Sequence, residues 1–331
     1  MGRVIVTGGA GFIGSHVAAR LVREGHDTVV VDNLDPYYDV RMKRKNLSAI
    51  EEAARGKGAG SFRFVEADIT DAKACAAALD GDGPVDAVYH EAAQAGVGPS
   101  VVDPLKSLRV NIGGTVNMLT ASKDRGVGRF VNASSSSVYG SVAYLPFDED
   151  HPTRPVSPYG VTKLAAEHYC RVFHEIHGLS TVSLRYFTVY GPRMRPDLAI
   201  PRFSKRLLAG EPPVVFGDGE QSRDYTFIDD IVEANLRLLE APIPLEGQAI
   251  NVGSGQRVTI NGLLDELREL TGSAVEAVHE DRAPGDARDT WASIERAGAL
   301  LGYRPATGLR QGLGRFLDWF RSDAEARELA Q

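Results

Sequence analysis

Cysteine is nearly missing: Cys75 and Cys170 are the only two in 331 residues. Two thiols cannot make a disulfide framework, so nothing calls for an oxidising compartment. No apolar run approaches the ~18 residues that a membrane helix needs. A basic excess is also absent, since 37 Lys and Arg stand against 44 Asp and Glu, a net charge of -7. That counts against a nucleic-acid binder, which shows a basic footprint. Anionic small molecules remain open, because a few arginines in a pocket suffice. There is no internal repeat or low-complexity tract. No basic, apolar and cleavage regions of a leader are seen before Arg3-Val4-Ile5-Val6. The expectation is a cytoplasmic protein with no membrane or nucleic-acid partner.

What is present is ordinary globular material, 43% hydrophobic and 24% charged, with 35 Gly and 17 Pro. The length suits about two domains at ~100–200 residues each. β-Branched runs predict strands over Val4–Thr7, Thr28–Val31, Phe62–Glu66, Ala87–His90, Arg129–Asn132 and Thr181–Arg185. Helices are predicted between them, over Ile13–Glu24, Ala72–Leu79, Leu105–Asp124 and Tyr159–His177. Such alternation argues for a parallel sheet covered on both faces. Past Tyr186, turns at Gly191-Pro192, Glu211-Pro212-Pro213 and Gly217-Asp218-Gly219 loosen the pattern. A helix over Asp229–Glu240 and a strand–turn unit over Ala249–Gly255 are expected to rejoin the main sheet. Helices over Ile260–Thr271 and Leu309–Ser322 fall in a smaller domain. The fold class is α/β: a Rossmann-like doubly wound parallel sheet with a smaller α/β C-terminal substrate domain. Residues 1–185 plus 226–255 form the first domain, and 186–225 plus 256–331 the second. A cleft between them is the natural ligand site.

Thr7-Gly8-Gly9-Ala10-Gly11-Phe12-Ile13-Gly14 lies between a strand and a helix. Gly8, Gly11 and Gly14 permit a tight turn, close backbone approach to a pyrophosphate, and close helix packing. The helix N-terminus adds unpaired N–H groups and positive dipole. Asp32 ends the second strand, where a carboxylate accepts from both adenosine-ribose hydroxyls and repels a 2′-phosphate; NAD is expected rather than NADP. Asp68-Ile69 ends the third strand, within reach of an adenine amino group; a helix-capping role for Asp68 is the alternative. His90-Glu91-Ala92-Ala93-Gln94 ends the fourth, and the small Ala92 and Ala93 let backbone lie against a cofactor. His90 itself reads as structural. Tyr159 and Lys163 are one helical turn apart on one face. A buried ammonium there stabilises a phenolate, and Ser134–Ser137 supplies hydroxyls at the sheet's carboxyl edge. A Tyr-x-x-x-Lys pair alone is common; the glycine turn upstream gives this one weight.

Thr7–Gly14, Asp32-Asn33, Asp68-Ile69, Ser134–Gly140, Tyr159–Lys163, Arg185-Tyr186-Phe187, Ser222–Tyr225 and Asn251–Gly255 together resemble the extended short-chain dehydrogenases/reductases, in their nucleotide-sugar epimerase and dehydratase group. The resemblance implies catalysis by Ser135, Tyr159 and Lys163. NAD contacts would come from Gly8, Gly11, Phe12, Ile13, Gly14, Asp32, Asn33, Asp68, Ile69, Ala92, Ala93, Gln94, Asn111, Ser134, Tyr159, Lys163 and Tyr186. Dehydrating or decarboxylating relatives carry an acid where Ser136 or Ser137 stands, so an epimerase is implied. Asp32–Arg41, Ala93–Val97 and Phe187–Asp197 are similar to the epimerases acting on UDP-glucuronate. Galactose epimerases usually have Asn where Thr188 stands. UDP-glucuronate/UDP-galacturonate interconversion is therefore expected, with UDP-glucose/UDP-galactose 4-epimerisation as the alternative and decarboxylation third. Ser135, Ser136, Ser137, Tyr159, Thr188 and Arg195 would contact the sugar, with Arg195 pairing its carboxylate or, alternatively, a phosphate. Val214, Phe216, Arg223 and Asp286 would hold UDP, and Arg282 is a candidate for an arginine that relatives carry at Ala283. Gly98-Pro99 and Ser293 depart from the family pattern. No metal is expected. A homodimer is implied through the Leu105–Asp124 and Tyr159–His177 helices; apolar residues on them such as Val116, Leu119, Ala165, Tyr169, Val172 and Phe173 fit either that interface or plain core.

Overall fold

The computed structural model describes residues 2–240, 244–281 and 288–330. Seven parallel strands make one sheet: β1 (Arg3–Thr7), β2 (Asp27–Asp32), β3 (Phe62–Glu66), β4 (Ala87–His90), β5 (Arg129–Ser135), β6 (Thr181–Tyr186) and β7 (Glu246–Val252). Their spatial order is β7-β6-β5-β4-β1-β2-β3. Val4, Ile5 and Val6 are fully buried, as expected where helices cover both faces of a parallel sheet. Strand order reverses between β1 and β4, which opens a crevice at their carboxyl ends. Every expected strand of the sheet is present, and β7 starts and stops three residues earlier than expected. Its chain leaves the sheet because Ser254 and Gly255 turn to donate their N–H groups to Asp224.

The helix expected over Leu105–Asp124 is broken in register. Pro104–Leu108 and Thr115–Arg125 are α-helical, and Arg109–Gly114 between them is a π turn. Gly114 lies so close to Ile69 that a Cβ would fall 2.5 Å from Ile69 Cδ1. The wider turn lets Asn111 bond across to Gln94 and Thr162. Five further helices were not expected, over Val40–Ala54, Val97–Val102, Ala199–Ala209, Glu295–Leu301 and Ala324–Leu329.

Beyond the sheet, the described strands are two or three residues long. Thr188–Tyr190 pairs with Tyr225–Phe227, Val214–Phe216 with Val278–Glu280, and Ser222–Arg223 with Val258–Thr259. One hydrophobic core runs from Val4 and Val6 through Tyr190 and Phe227 to Leu313, Phe316 and Phe320. The second lobe is therefore packed onto the sheet.

Behind the carboxyl ends of β5 and β6 lies a buried polar wall. Arg185 grips Glu167 through Nε and Nη2 at 2.9 and 2.8 Å. Ser134 donates to the same carboxylate. Arg185 also donates to the Tyr139 hydroxyl, which donates to Asn251. A buried pair of this kind is tolerable because each charge is hydrogen-bonded on several sides.

Candidate active site

A cavity of about 370 Å³ occupies the crevice. Gly8, Gly11, Phe12, Ile13, Gly14, Asp32, Asn33, Asp68, Ile69, Ala92, Ala93, Gln94, Ser134, Ser135, Tyr159 and Tyr186 all line it. The glycine turn is shaped to accept backbone-close contact. Gly8 sits at φ +66°, and a Cβ there would lie 2.6 Å from the Ala92 nitrogen. A Cβ on Gly14 would lie 2.5 Å from the Gly8 oxygen. Among the described residues no side chain caps the helix Phe12–Arg23 that follows, so its first N–H groups face a pyrophosphate-sized space. Asp32 accepts from Ala10 N–H and Leu34 N–H at 3.1 and 2.9 Å. Lys43, from the unexpected helix, adds a 3.3 Å pair to Asp32 and lines the same cavity. Asp68 accepts from Asn33 and from Thr70 N–H; burial raises its carboxyl, but these hydrogen bonds outweigh that and hold it below its ordinary value. Glycine cradle, uncapped helix end and the carboxylate of Asp32 on the cavity wall fit a dinucleotide.

The helix Pro158–His177 begins with Ser157 accepting from Gly160 N–H. It places Tyr159 on the cavity and buries Lys163 beneath it, with Nζ 5.8 Å from the Tyr159 ring centre. Lys163 donates to the Ala133 carbonyl at 2.7 Å. The Tyr159 N–H donates to Ser100 Oγ at 3.0 Å. Thus the segment containing Gly98-Pro99 still supports Tyr159 through its backbone. Ser135 Oγ accepts from Ser137 N–H and donates to Ser137 Oγ at 3.2 Å.

Several expected residues lie elsewhere. Asn111 is buried but does not line the cavity; its amide clamps Gln94 to Thr162 across the π turn. Lys163 lies behind Tyr159 and is not part of the lining either. Ser134 spends its hydroxyl proton on Glu167. Ser136 and Ser137 fall in a 3-10 turn outside the lining of both cavities. Arg282, Ala283 and Asp286 lie outside the described residues. His90 is fully buried between Thr7 and Thr115, at 2.8 and 2.9 Å, and burial pushes its imidazole down to about 3, a neutral structural pin. Glu91, Lys43 and Tyr37 line the cavity without having been expected there. A carboxylate directly after a strand end was the available signal for Glu91.

A second cavity, of about 300 Å³, contains Val214, Phe216 and Arg223 in its lining. Thr188, Val189 and Leu198 line both cavities, so the two adjoin there. Arg195 lies on the first cavity beside that shared wall. Asp197 holds its Nε and Nη2 at 3.1 Å each, and its guanidinium lies 5.2 Å from the Tyr37 ring centre. Tyr37 donates in turn to Asp197 at 3.1 Å. An arginine has five N–H donors in a fixed fork, and Asp197 engages two of them.

Residues 4–253 match the NAD dependent epimerase/dehydratase family. The chain is 38% identical over 98% of its length to a UDP-glucuronate 4-epimerase of Thermodesulfobacterium geofontis, covering 98% of that protein. It superposes on a Bacillus cereus UDP-glucuronic acid 4-epimerase, solved with UDP-glucuronic acid and NAD, with a TM-score of 0.88 and 35% identity; 97% of this chain and 99% of that one are covered. A Thermotoga maritima UDP-glucose 4-epimerase solved with UDP-glucose gives a TM-score of 0.86 at 35% identity, covering 97% and 99%. The chain belongs to the NAD dependent epimerase/dehydratase family.

Proposed function

We propose that this protein interconverts UDP-glucuronate and UDP-galacturonate by oxidation and re-reduction at sugar C4. The observation that carries the substrate assignment is the shared wall: Thr188 stands where the two cavities meet, with Arg195 beside it. That geometry supports UDP in the second cavity, with uracil along Val214 and Phe216 and pyrophosphate at Arg223. The hexose then passes Thr188 toward Ser135 and Tyr159. Arg195 offers its remaining N–H groups to the C6 carboxylate, a charge-assisted contact. Because Ser136 and Ser137 stand off the cavity, Thr188 and Arg195 carry the carboxylate contact in this reading.

Ser135 Oγ holds the 4-hydroxyl while Tyr159 takes its proton, and the buried Lys163 ammonium stabilises the phenolate. The glycine turn and Asp32 would hold NAD in the first cavity, where it would supply reversible hydride acceptance at C4. The 4-keto sugar swings about its link to the pyrophosphate and presents its other face. Tyr159 then gives the proton back. A ketone at C4 makes the C6 carboxylate a β-keto acid, which loses carbon dioxide if its bond to C5 aligns with the carbonyl π system. Arg195 and Thr188 hold it out of that alignment.

Product analysis with the two sugars offered separately tests the assignment. UDP-glucuronate should yield UDP-galacturonate without UDP-pentose. Turnover of UDP-glucose alone would replace it with neutral-hexose epimerisation, and UDP-pentose as main product with decarboxylation. No described helix is long and apolar enough to cross a membrane, and a cytoplasmic location belongs to the same proposal. So does a homodimer: Leu105, Leu108, Val161, Tyr169 and Ile176 are 41–72% exposed along the Pro104–Leu108 and Pro158–His177 helices. Leu119, which fitted either that interface or plain core, is core. Light scattering should give twice the chain mass.

A further inference from the structure

Glu91 lines the first cavity and has no part in the chemistry above. Its place follows from strand order. The glycine turn sits at the end of β1 and Ser135 at the end of β5, and β4 lies between them. A dinucleotide with its pyrophosphate on the glycine turn and its reactive ring near Tyr159 must therefore cross the end of β4, where Glu91 follows His90. The side chain is oriented from behind. Asn235 Nδ2 donates to the Tyr186 hydroxyl at 2.8 Å, and that hydroxyl donates to Glu91 Oε1 at 2.8 Å. Asn235 is itself fixed by donating to the Ile231 carbonyl at 2.9 Å. The Tyr186 hydroxyl also lies 3.1 Å from Asn235 Oδ1, so both amide atoms of Asn235 hold that hydroxyl beside Glu91. The Tyr186 hydroxyl favours the carboxylate form of Glu91.

We infer that Glu91 sets the redox preference of the bound cofactor: its carboxylate, held by Tyr186 in the span between glycine turn and Tyr159, favours the cationic oxidised nicotinamide over the neutral reduced one. In a cycle that borrows a hydride and returns it, such a charge disfavours keeping the hydride and so protects the 4-keto sugar from being stranded. The inference rests on the cofactor reading of this cavity.

Charge at Glu91 depends on pH. Burial pushes the carboxyl up to about 7, against the Tyr186 hydrogen bond and the Lys163 ammonium. The charged form is therefore present above about 7 and lost below it. The other ionisable groups acting on it are Lys163 from the Pro158–His177 helix, Tyr186 from β6 and Tyr89 from β4, with His90 its chain neighbour. His90 stays neutral, and burial keeps Tyr89 and Tyr186 protonated, throughout the range from 5.5 to 8.5.

Equilibrium displacement of bound NAD by NADH, followed by NADH fluorescence on the holoenzyme, reads the ratio of the two affinities directly. Glu91→Gln keeps the acceptor for Tyr186 and removes the charge. At pH 8.5 it should shift the ratio toward NADH by about ten-fold, and at pH 5.5 leave it unchanged. Tyr186→Phe removes the donor, so the pH step in the ratio should move upward. An unchanged ratio at pH 8.5, or an equal shift at both pH values, overturns the inference. If the wild type holds neither form, the cofactor reading falls and the inference with it. If it holds both forms and turns over no UDP-uronate, the substrate assignment fails while the comparison at Glu91 still decides.

Discussion

The two lobes reach their site by different means. In the sheet lobe, strand ends deliver Gly8 after β1, Asp32 on β2, Glu91 and Ala92 after β4, Ser135 on β5 and Tyr186 on β6, and helices packed on the sheet add Tyr159 and Lys43. Seven hydrogen-bonded strands fix those positions relative to one another. In the second lobe, Arg195, Val214 and Arg223 come from short strands and the turns beside them, held by side-chain bonds such as the Arg195–Asp197–Tyr37 clasp. In the proposed reading, the chemistry sits on the hydrogen-bonded frame of the sheet, and recognition of a particular sugar sits on the short strands and turns. Mutations should separate the two kinds of dependence.

Tyr159→Phe should have the largest effect, a loss of turnover by about 10²–10⁴-fold on any UDP-sugar, the usual worth of a positioned proton carrier. Bound nucleotide, released by denaturation and quantified by absorbance, should remain. Loss of both together would mean that chemistry and cofactor retention are not separable on the frame.

Next comes the frame itself. Glu167→Ala leaves Arg185 as a buried charge and takes away the acceptor of Ser134, at a cost of about 3–5 kcal/mol. Urea unfolding should register that as a lower midpoint. A cost below 1 kcal/mol would show that the wall behind β5 and β6 is not what holds Ser134 and its neighbour Ser135.

Arg195→Ala should act on one substrate. Losing a charge-assisted contact costs about 1.5–3 kcal/mol, so UDP-glucuronate kcat/KM should fall about ten- to a hundred-fold and some UDP-pentose should appear. Any UDP-glucose turnover should be nearly unmoved. Equal loss on both sugars would make Arg195 a general phosphate contact.

The mildest change expected is Phe216→Ala, which removes a partly exposed ring under the Arg202 guanidinium. KM for every UDP-sugar should rise by no more than about ten-fold, with kcat held. A change in kcat would tie the uracil end to the chemistry more firmly than the contrast between lobes allows.

The same contrast governs what the sequence makes legible. Strands buried on both faces write themselves as near-continuous apolar runs, so the sheet and the glycine turn were readable directly. The helix Val40–Ala54 was not, because two of its buried positions are polar. Lys43 turns in to meet Asp32, and Asn46 donates to the Ala10 carbonyl at 2.9 Å. An apolar stripe is the signal that such residues erase. Asn111 was assigned to the cofactor, yet its partners are Gln94 and Thr162, and a π turn has no periodic signature. The serines after Ser135 looked equivalent in a row of four, while the 3-10 turn directs them apart. Glu91 depends on Tyr186 and Asn235, residues remote in the chain, and no local pattern announces that.

The wall formed by Thr188, Val189 and Leu198 has a consequence for descent. It is the only stretch of the described lining that both cavities touch. On the proposed reading, a lineage can edit it, together with Arg195, and acquire a different sugar without disturbing the glycine turn, where a single methyl group collides with backbone. Diversification of diet is open to such a protein at a handful of positions, while its coenzyme is inherited unchanged.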